Sequence, residues 1–285
     1  MPIVEPLLRW YAGAARDLPW RRPGTGAWGV LVSEVMLQQT PVNRVLPVYS
    51  DWVQRWPRPQ SLAVDGRGEA VRMWGRLGYP RRALRLHESA VAIVERHAGA
   101  VPADLDALLA LPGVGAYTAR AVATFGYGRR HAVVDTNVRR VAARLVLGQE
   151  RAPTSAADLA LVEPLVPAEP AAAARFAAAL MELGALVCTA RSPRCPSCPL
   201  AQTCAWRRAG RPASDAPRRR AQPYAGTDRQ VRGVLLGRLR LADGPVDAGV
   251  LAGSWPDELQ RDQALASLLA DGLVARCADG SYALP

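Results

Sequence analysis

The sequence predicts an all-α body followed by a small C-terminal winged-helix-like module, and three observations lead there. Through the first 190 residues, apolar positions recur at helical spacing between Pro and Gly punctuation. Strand-like alternation is almost absent from that stretch. The last 57 residues then change character: three helical patterns are followed by two short runs around Ala278-Asp279-Gly280, a hairpin signal.

Helices are expected at 6–15, 27–38, 41–55, 59–64, 68–74, 80–97, 104–110, 116–125, 136–146, 155–166 and 170–186. The patterns at 41, 59, 80 and 170 open on a proline, which suits a first helical turn. The pattern at 104–110 stops before Pro112-Gly113, and the one at 136 follows Asp135. Residues 27–38 are apolar on nearly every face, so that helix belongs in the interior. In the tail, 230–241, 247–251 and 258–271 read as helices, and 273–277 with 281–284 as the hairpin. The chain thus divides into a body at 1–210, a basic linker at 211–228 and a module at 229–285.

At 285 residues and 49% apolar, the chain supplies enough core for one large or two medium domains. No run of eighteen or more apolar residues exists, so no membrane association is expected. The start, Met1-Pro2-Ile3-Val4-Glu5-Pro6, lacks a basic region followed by an apolar core, which predicts a cytoplasmic protein. The net charge of +11 fits a polyanionic partner, and its distribution narrows where that partner sits. Residues 1–190 carry +6, residues 191–232 carry +8, and residues 233–285 carry −3. Polyanion binding is therefore expected before residue 233. All 36 basic residues are arginine. Without a lysine amine, no mechanism that needs a lysine Schiff base is open to this chain.

Four of the five cysteines, Cys188, Cys195, Cys198 and Cys204, fall within seventeen residues at C-x6-C-x2-C-x5-C spacing. Disulfides are disfavoured without a secretion signal. Tetrahedral zinc suits four thiolates but usually uses two short Cys-x2-Cys knuckles, and here there is one. A single loop that offers all four thiolates fits an iron–sulfur cluster better. Arg191, Arg194, Arg207 and Arg208 frame the loop, which could equally be a folding staple.

Leu111-Pro112-Gly113-Val114-Gly115 lies between two helical patterns. Two glycines around a small apolar residue allow a tight turn and a close backbone approach, and the next helix offers its unpaired N–H groups to an anion. That is the helix-hairpin-helix way of holding a DNA phosphate without reading sequence, although Gly-x-Gly turns also serve as ordinary connections. Two carboxylates stand out. Glu34 sits in the middle of the apolar 27–38 helix, where desolvation favours the protonated form unless an arginine pairs with it in the core. Asp135 sits where an apolar stretch meets a new helix, a place that favours the anion and that N-caps routinely occupy. One proton donor and one anion suit cleavage of a glycosidic bond through a cationic sugar.

Taken together, residues 5–210 resemble the iron–sulfur branch of the helix-hairpin-helix DNA glycosylases. Within them, 28–40 (WGVLVSEVMLQQT) looks like the signature of the MutY-type adenine glycosylases, and Pro19-Trp20-Arg21, 75–79 (GRLGY) and the cysteine spacing match as well. The resemblance implies that Glu34 protonates a flipped adenine at N7, that Asp135 stabilises the oxocarbenium-like sugar, and that Asn137 and Tyr117 support them. It also implies that Gln38, Gln39, Leu77 and Tyr79 wedge into the base stack, with Thr40 and Arg21 at the DNA and Gly113 and Gly115 on a phosphate. The four cysteines would hold a [4Fe-4S] cluster. The implied substrate is double-stranded DNA containing a mismatched adenine, met by a monomer on the bacterial nucleoid. Lyase relatives carry their Schiff-base lysine where this chain has Tyr117, so a monofunctional enzyme that leaves an abasic site is implied.

Three positions depart from the family pattern. The 57-residue tail is shorter than the usual Nudix-like domain that reads 8-oxoguanine. Ala178 replaces the adenine-reading Gln or Glu four residues before Glu182. Pro80 replaces the second Tyr of a Gly-Tyr-Tyr element. Rival readings are a uracil or thymine mismatch glycosylase, favoured by Ala178, and a catalytically silent DNA-damage binder, disfavoured by the presence of both carboxylates.

Overall fold

The computed structural model describes residues 3–151, 158–214 and 224–285. Its helices are α1 (Val4–Ala14), α2 (Gly26–Leu37), α3 (Val42–Arg55), α4 (Pro59–Ala63), α5 (Arg67–Met73), α6 (Arg81–Arg96), α7 (Leu105–Leu109) and α8 (Ala116–Tyr127). There follow α9 (Thr136–Ala142), α10 (Asp158–Val162), α11 (Pro170–Leu186), α12 (Ala205–Arg208), α13 (Asp228–Leu241), α14 (Ala248–Ala252) and α15 (Glu258–Ala270). The antiparallel strands β1 (Ala275–Arg276) and β2 (Tyr282–Ala283) close the chain. The helices form two compact units: residues 1–31, 103–109 and 114–218 make the first, and 32–102, 110–113 and 219–285 the second.

The first unit is built around α11. Pro170 opens this helix and the Glu169 side chain accepts hydrogen bonds from the Ala171 and Ala172 N–H groups, satisfying donors that would otherwise be orphaned. Its alanine-rich surface lets neighbours approach closely, and Phe176, Leu180 and Leu183 bury against Leu7 of α1 and Val138 and Val141 of α9. At Gly184 the approach is so close that an added Cβ would stand 2.6 Å from the Asn137 Cβ.

The second unit packs α3, α4, α5 and α6 around three tryptophans. Trp52 meets Trp56 edge-on at 4.6 Å and Trp74 at 5.7 Å. The tail is tied to this core. Arg72 of α5 donates to the carbonyls of Leu239, Arg240 and Ala242, capping α13, and Arg240 returns a bond to the Val71 carbonyl. Arg81 of α6 and Arg232 of α13 both reach Asp271. The acidic tail is therefore held by arginines of α5, α6 and α13.

Most expected helices are present within a few residues of their predicted ends. Three differences have physical causes. The helix expected at 136–146 stops as α9 at Ala142 and continues as a π turn over Ala143–Leu147, which turns Arg144 into the interior. The expected 155–166 helix runs as α10 and then a 3-10 turn over Glu163–Leu165, broken by Pro164; its residues 155–157 lie outside the described residues. Within the expected linker, residues 215–223 likewise lie outside them. Helix α8 runs on to Tyr127 because Gly128 takes the left-handed conformation that ends it. The four-residue α12 and the 3-10 turns at Pro19–Arg21 and Cys195–Ser197 are too short to show periodicity.

Candidate active site and nucleic-acid interface

Helix α2 carries Glu34. As its all-round apolar sequence requires, the helix is buried from Trp28 to Met36, and Glu34 is only 6% exposed. The chain leaves α2 through residues 38–41, where Gln39 takes a left-handed φ of 55°. A second irregular stretch, 75–80, precedes α6, and there Tyr79 is also left-handed (φ 46°) and 51% exposed. Gln39 and Tyr79 thus face solvent, as expected of residues that meet a partner. Leu77 and Thr40 do not: Leu77 is 3% exposed, and the buried Thr40 hydroxyl donates to the Leu77 carbonyl. In the protein alone these two hold the loops together.

Asp135 is the N-cap of α9. One carboxylate oxygen accepts from the Asn137 and Val138 N–H groups at 2.9 and 2.7 Å; the other accepts from the Asn137 amide at 2.8 Å. The capping role anticipated as the bland reading is therefore real, and three donors hold the carboxylate in one orientation. The arrangement continues inward. Arg140 donates to Asn137 Oδ1, to the Gly184 carbonyl and to the Cys188 carbonyl, joining Asp135 to the cysteine loop through hydrogen bonds. Replacing Gly184 by Ala displaces Asn137 and costs about 1–3 kcal/mol by overpacking, measurable as a lower urea midpoint at unchanged m-value. Tyr117 of α8 packs against Ala121, Val133 and Ala177 in the same unit. Ala178 is buried beside Ala177 on α11.

In the 111–115 turn, Gly113 has φ 77° and its missing Cβ would fall 2.7 Å from the Arg85 Cβ, so only glycine fits. The Ser89 hydroxyl donates to the Pro112 carbonyl and fixes the turn from α6. Gly115 is the exposed N-cap of α8, and an added Cβ there would meet nothing within 4 Å, so the turn is open where that helix begins.

Cys188, Cys195, Cys198 and Cys204 line one pocket, together with Arg144, Val187, Pro193 and Trp206. None forms a disulfide. Among the described residues no three Cys, His, Asp or Glu side chains close on a single-ion centre. Burial pushes the Cys198 thiol up to about 11 and raises Cys188, against the pull of Arg144. Arg144, almost fully buried, donates to the Cys188 sulfur and to the Thr189 and Ala190 carbonyls while stacking on Trp206.

One residue of weight, Glu182, was given no role in the sequence reading. Glu182 of α11 is fully buried and takes four hydrogen bonds, three from Arg16 and one from Arg21. Arg21, expected at the DNA, donates to this carboxylate. An acid within an otherwise apolar helix was the available signal, the same one that marked Glu34.

The model of the HhH-GPD superfamily of base excision DNA repair proteins matches residues 32–167. The chain is 58% identical to the adenine DNA glycosylase of Mycolicibacterium smegmatis, covering 98% of this chain and 94% of that one. It is 57% identical to the adenine DNA glycosylase of Mycobacterium tuberculosis, covering 98% and 92%. Among solved structures, a thermostable thymine-DNA glycosylase superposes with a TM-score of 0.65 at 28% identity, over 72% of this chain and 95% of that one.

Proposed function

Because the chain belongs to the adenine DNA glycosylases of the HhH-GPD base excision repair superfamily, we propose that it removes adenine mispaired with 8-oxoguanine or guanine in duplex DNA. The adenine is turned out of the stack, and its N-glycosidic bond is hydrolysed. Glu34 donates a proton to N7 of the base, which weakens the bond to C1′. As that bond breaks, the base leaves with the bonding pair and the sugar becomes oxocarbenium-like. Asp135 faces this positive charge as an anion, and water completes the sugar at C1′. Glu34, now an anion, takes the proton of that water. An abasic site and free adenine result. With no lysine anywhere, the enzyme forms no lysine Schiff base with the sugar and is monofunctional.

The observation that carries the chemistry is the contrast between the two carboxyl groups. One is buried in an apolar helix; the other is held by three N–H donors at a helix start. Gly113 and Gly115 hold a backbone phosphate through the first turn of α8, and Gln38, Gln39 and Tyr79 occupy the space that the base leaves. The enzyme works as a monomer on nucleoid DNA in the cytoplasm, with residues 229–285 as a winged-helix-like module.

Cys188, Cys195, Cys198 and Cys204 hold a [4Fe-4S] cluster in this reading. The donor set fits in kind: four cysteines line one pocket, and the Arg144 guanidinium donates to the Cys188 sulfur. When bound, the cluster supplies an anionic cross-link that fixes the 188–204 loop.

The test is single-turnover base release by the purified holoprotein on duplexes with A opposite 8-oxoguanine, G or T, and with U or T opposite G. Release of adenine from the first two, with T opposite A inert, is expected. Preference for U or T opposite G selects the second reading, which Ala178 favours. A brown preparation with a broad absorbance near 400 nm supports the cluster, and a colourless zinc protein overturns it.

A further inference from the structure

Arg82, the second residue of α6, takes no part in the chemistry above, yet it makes more interior hydrogen bonds than a surface cation needs. Nη1 donates to the carbonyls of Val35, Met36 and Gln38 at 2.8, 3.0 and 2.6 Å. Nη2 donates to the Thr40 hydroxyl and the Gly78 carbonyl, both at 3.0 Å. The guanidinium lies over the Trp74 ring at 5.2 Å and the Tyr79 ring at 5.5 Å. Among the described residues every acceptor is neutral, and the buried Nε has no hydrogen-bond partner. Burial pulls the guanidinium down to about 10. A half-buried cation held only by neutral acceptors contributes little to the stability of a fold, so its geometry calls for another explanation.

The placement of the bonds suggests what this arrangement achieves. The Gln38 carbonyl belongs to the peptide just before Gln39, and the Gly78 carbonyl to the peptide just before Tyr79. Those are the two exposed, left-handed non-glycine residues of the 38–41 and 75–80 loops. A non-glycine residue persists in such a conformation only where its surroundings impose it. Arg82 holds the peptide before each strained residue and also the last carbonyls of α2, three residues or fewer from Glu34.

We propose that Arg82 is a positioning residue that locks these two loops into one preorganised wedge, presenting Gln39 and Tyr79 for extrusion of the target base. The inference rests on the reading that these loops enter the duplex. Order imposed before binding does not have to be created when the base is displaced, so loss of Arg82 slows extrusion more than it weakens binding.

The experiment uses the full holoprotein and the variants Arg82→Met and Arg82→Lys. Extrusion is followed by stopped-flow fluorescence of 2-aminopurine placed beside the target adenine, in a Glu34→Gln background that does not cleave. With Arg82 present, fluorescence rises as the stack opens; with Arg82→Met the rise is about 10- to 100-fold slower, while duplex affinity by anisotropy stays within about 5-fold. Arg82→Lys, which cannot fork to both loops, is intermediate. The Tm of both variants stays within a few degrees. An unchanged fluorescence rate, equal losses of extrusion and affinity, or failure of both variants to fold overturns the proposal. If the Arg82 protein itself gives no fluorescence rise, or wild type releases no adenine, the glycosylase reading fails instead.

Discussion

Glu34→Gln lowers single-turnover adenine release by about 10³-fold while leaving affinity for the mismatched duplex within about 3-fold. The size follows from the role. A positioned acid that protonates the leaving group in the transition state typically contributes 10² to 10⁴, and hydrolysis of a nucleoside bond without a protonated base has no cheaper leaving group. Gln keeps the shape and hydrogen-bonding reach of Glu but has no proton to give. The side chain is 6% exposed within α2, so the substitution swaps one buried polar group for another of equal volume and leaves the helix packed. In the proposed reading, binding depends instead on surfaces elsewhere: the glycine turn before α8, the loops at 38–41 and 75–80, and arginine charge. Parallel loss of binding and release would mean that Glu34 is structural. Retention of more than a tenth of the wild-type rate would assign the acid to another group.

What the sequence made legible, and what it hid, follows the range of the interactions. Glu34 was visible because a lone acid interrupts a nearly unbroken apolar stretch, and the cysteine loop because four thiols crowd into seventeen positions. Gly113 was visible because only glycine tolerates its conformation. These are local patterns. Arg82, Arg140 and Arg144 were invisible, since nothing local separates them from thirty-three other arginines. Their importance comes from carbonyls they meet across the fold, such as Val35 for Arg82 or Thr189 for Arg144. The docking of the tail was hidden for the same reason, being written in Arg72 and Arg240, nearly 170 positions apart. The burial of Leu77 was hidden from the opposite direction. Its apolar side chain suited a wedge, but the loop turns it inward and spends its carbonyl on Thr40.

Glu182→Gln removes about 2–4 kcal/mol of stability at pH 7, and the loss disappears in acid. The carboxylate is fully buried and joins residues 166 positions apart, with Arg16 bound bidentately through Nε and Nη2 at 2.6 and 2.9 Å and Arg21 at 2.8 Å. Breaking a buried pair by removing one partner costs about 3–5 kcal/mol; the figure is reduced here because Arg16 and Arg21 keep 35% and 22% exposure and can turn to water. Burial pushes the Glu182 carboxyl up, but the two arginines together outweigh it and hold it below the ordinary glutamate range. A folded-state pKa below the unfolded value gives stability that is complete above the unfolded pKa, about 4.3, and is lost as pH falls through the folded one. Wild type and Glu182→Gln should therefore differ by roughly 5–15 °C in Tm at pH 7 and converge well below pH 4. A gap that persists unchanged at low pH would show that side-chain packing, not charge, secures this joint. No gap at pH 7 would show that Arg16 and Arg21 find equal partners in water, and that α11 and the Pro19–Arg21 turn are held by their apolar contacts alone.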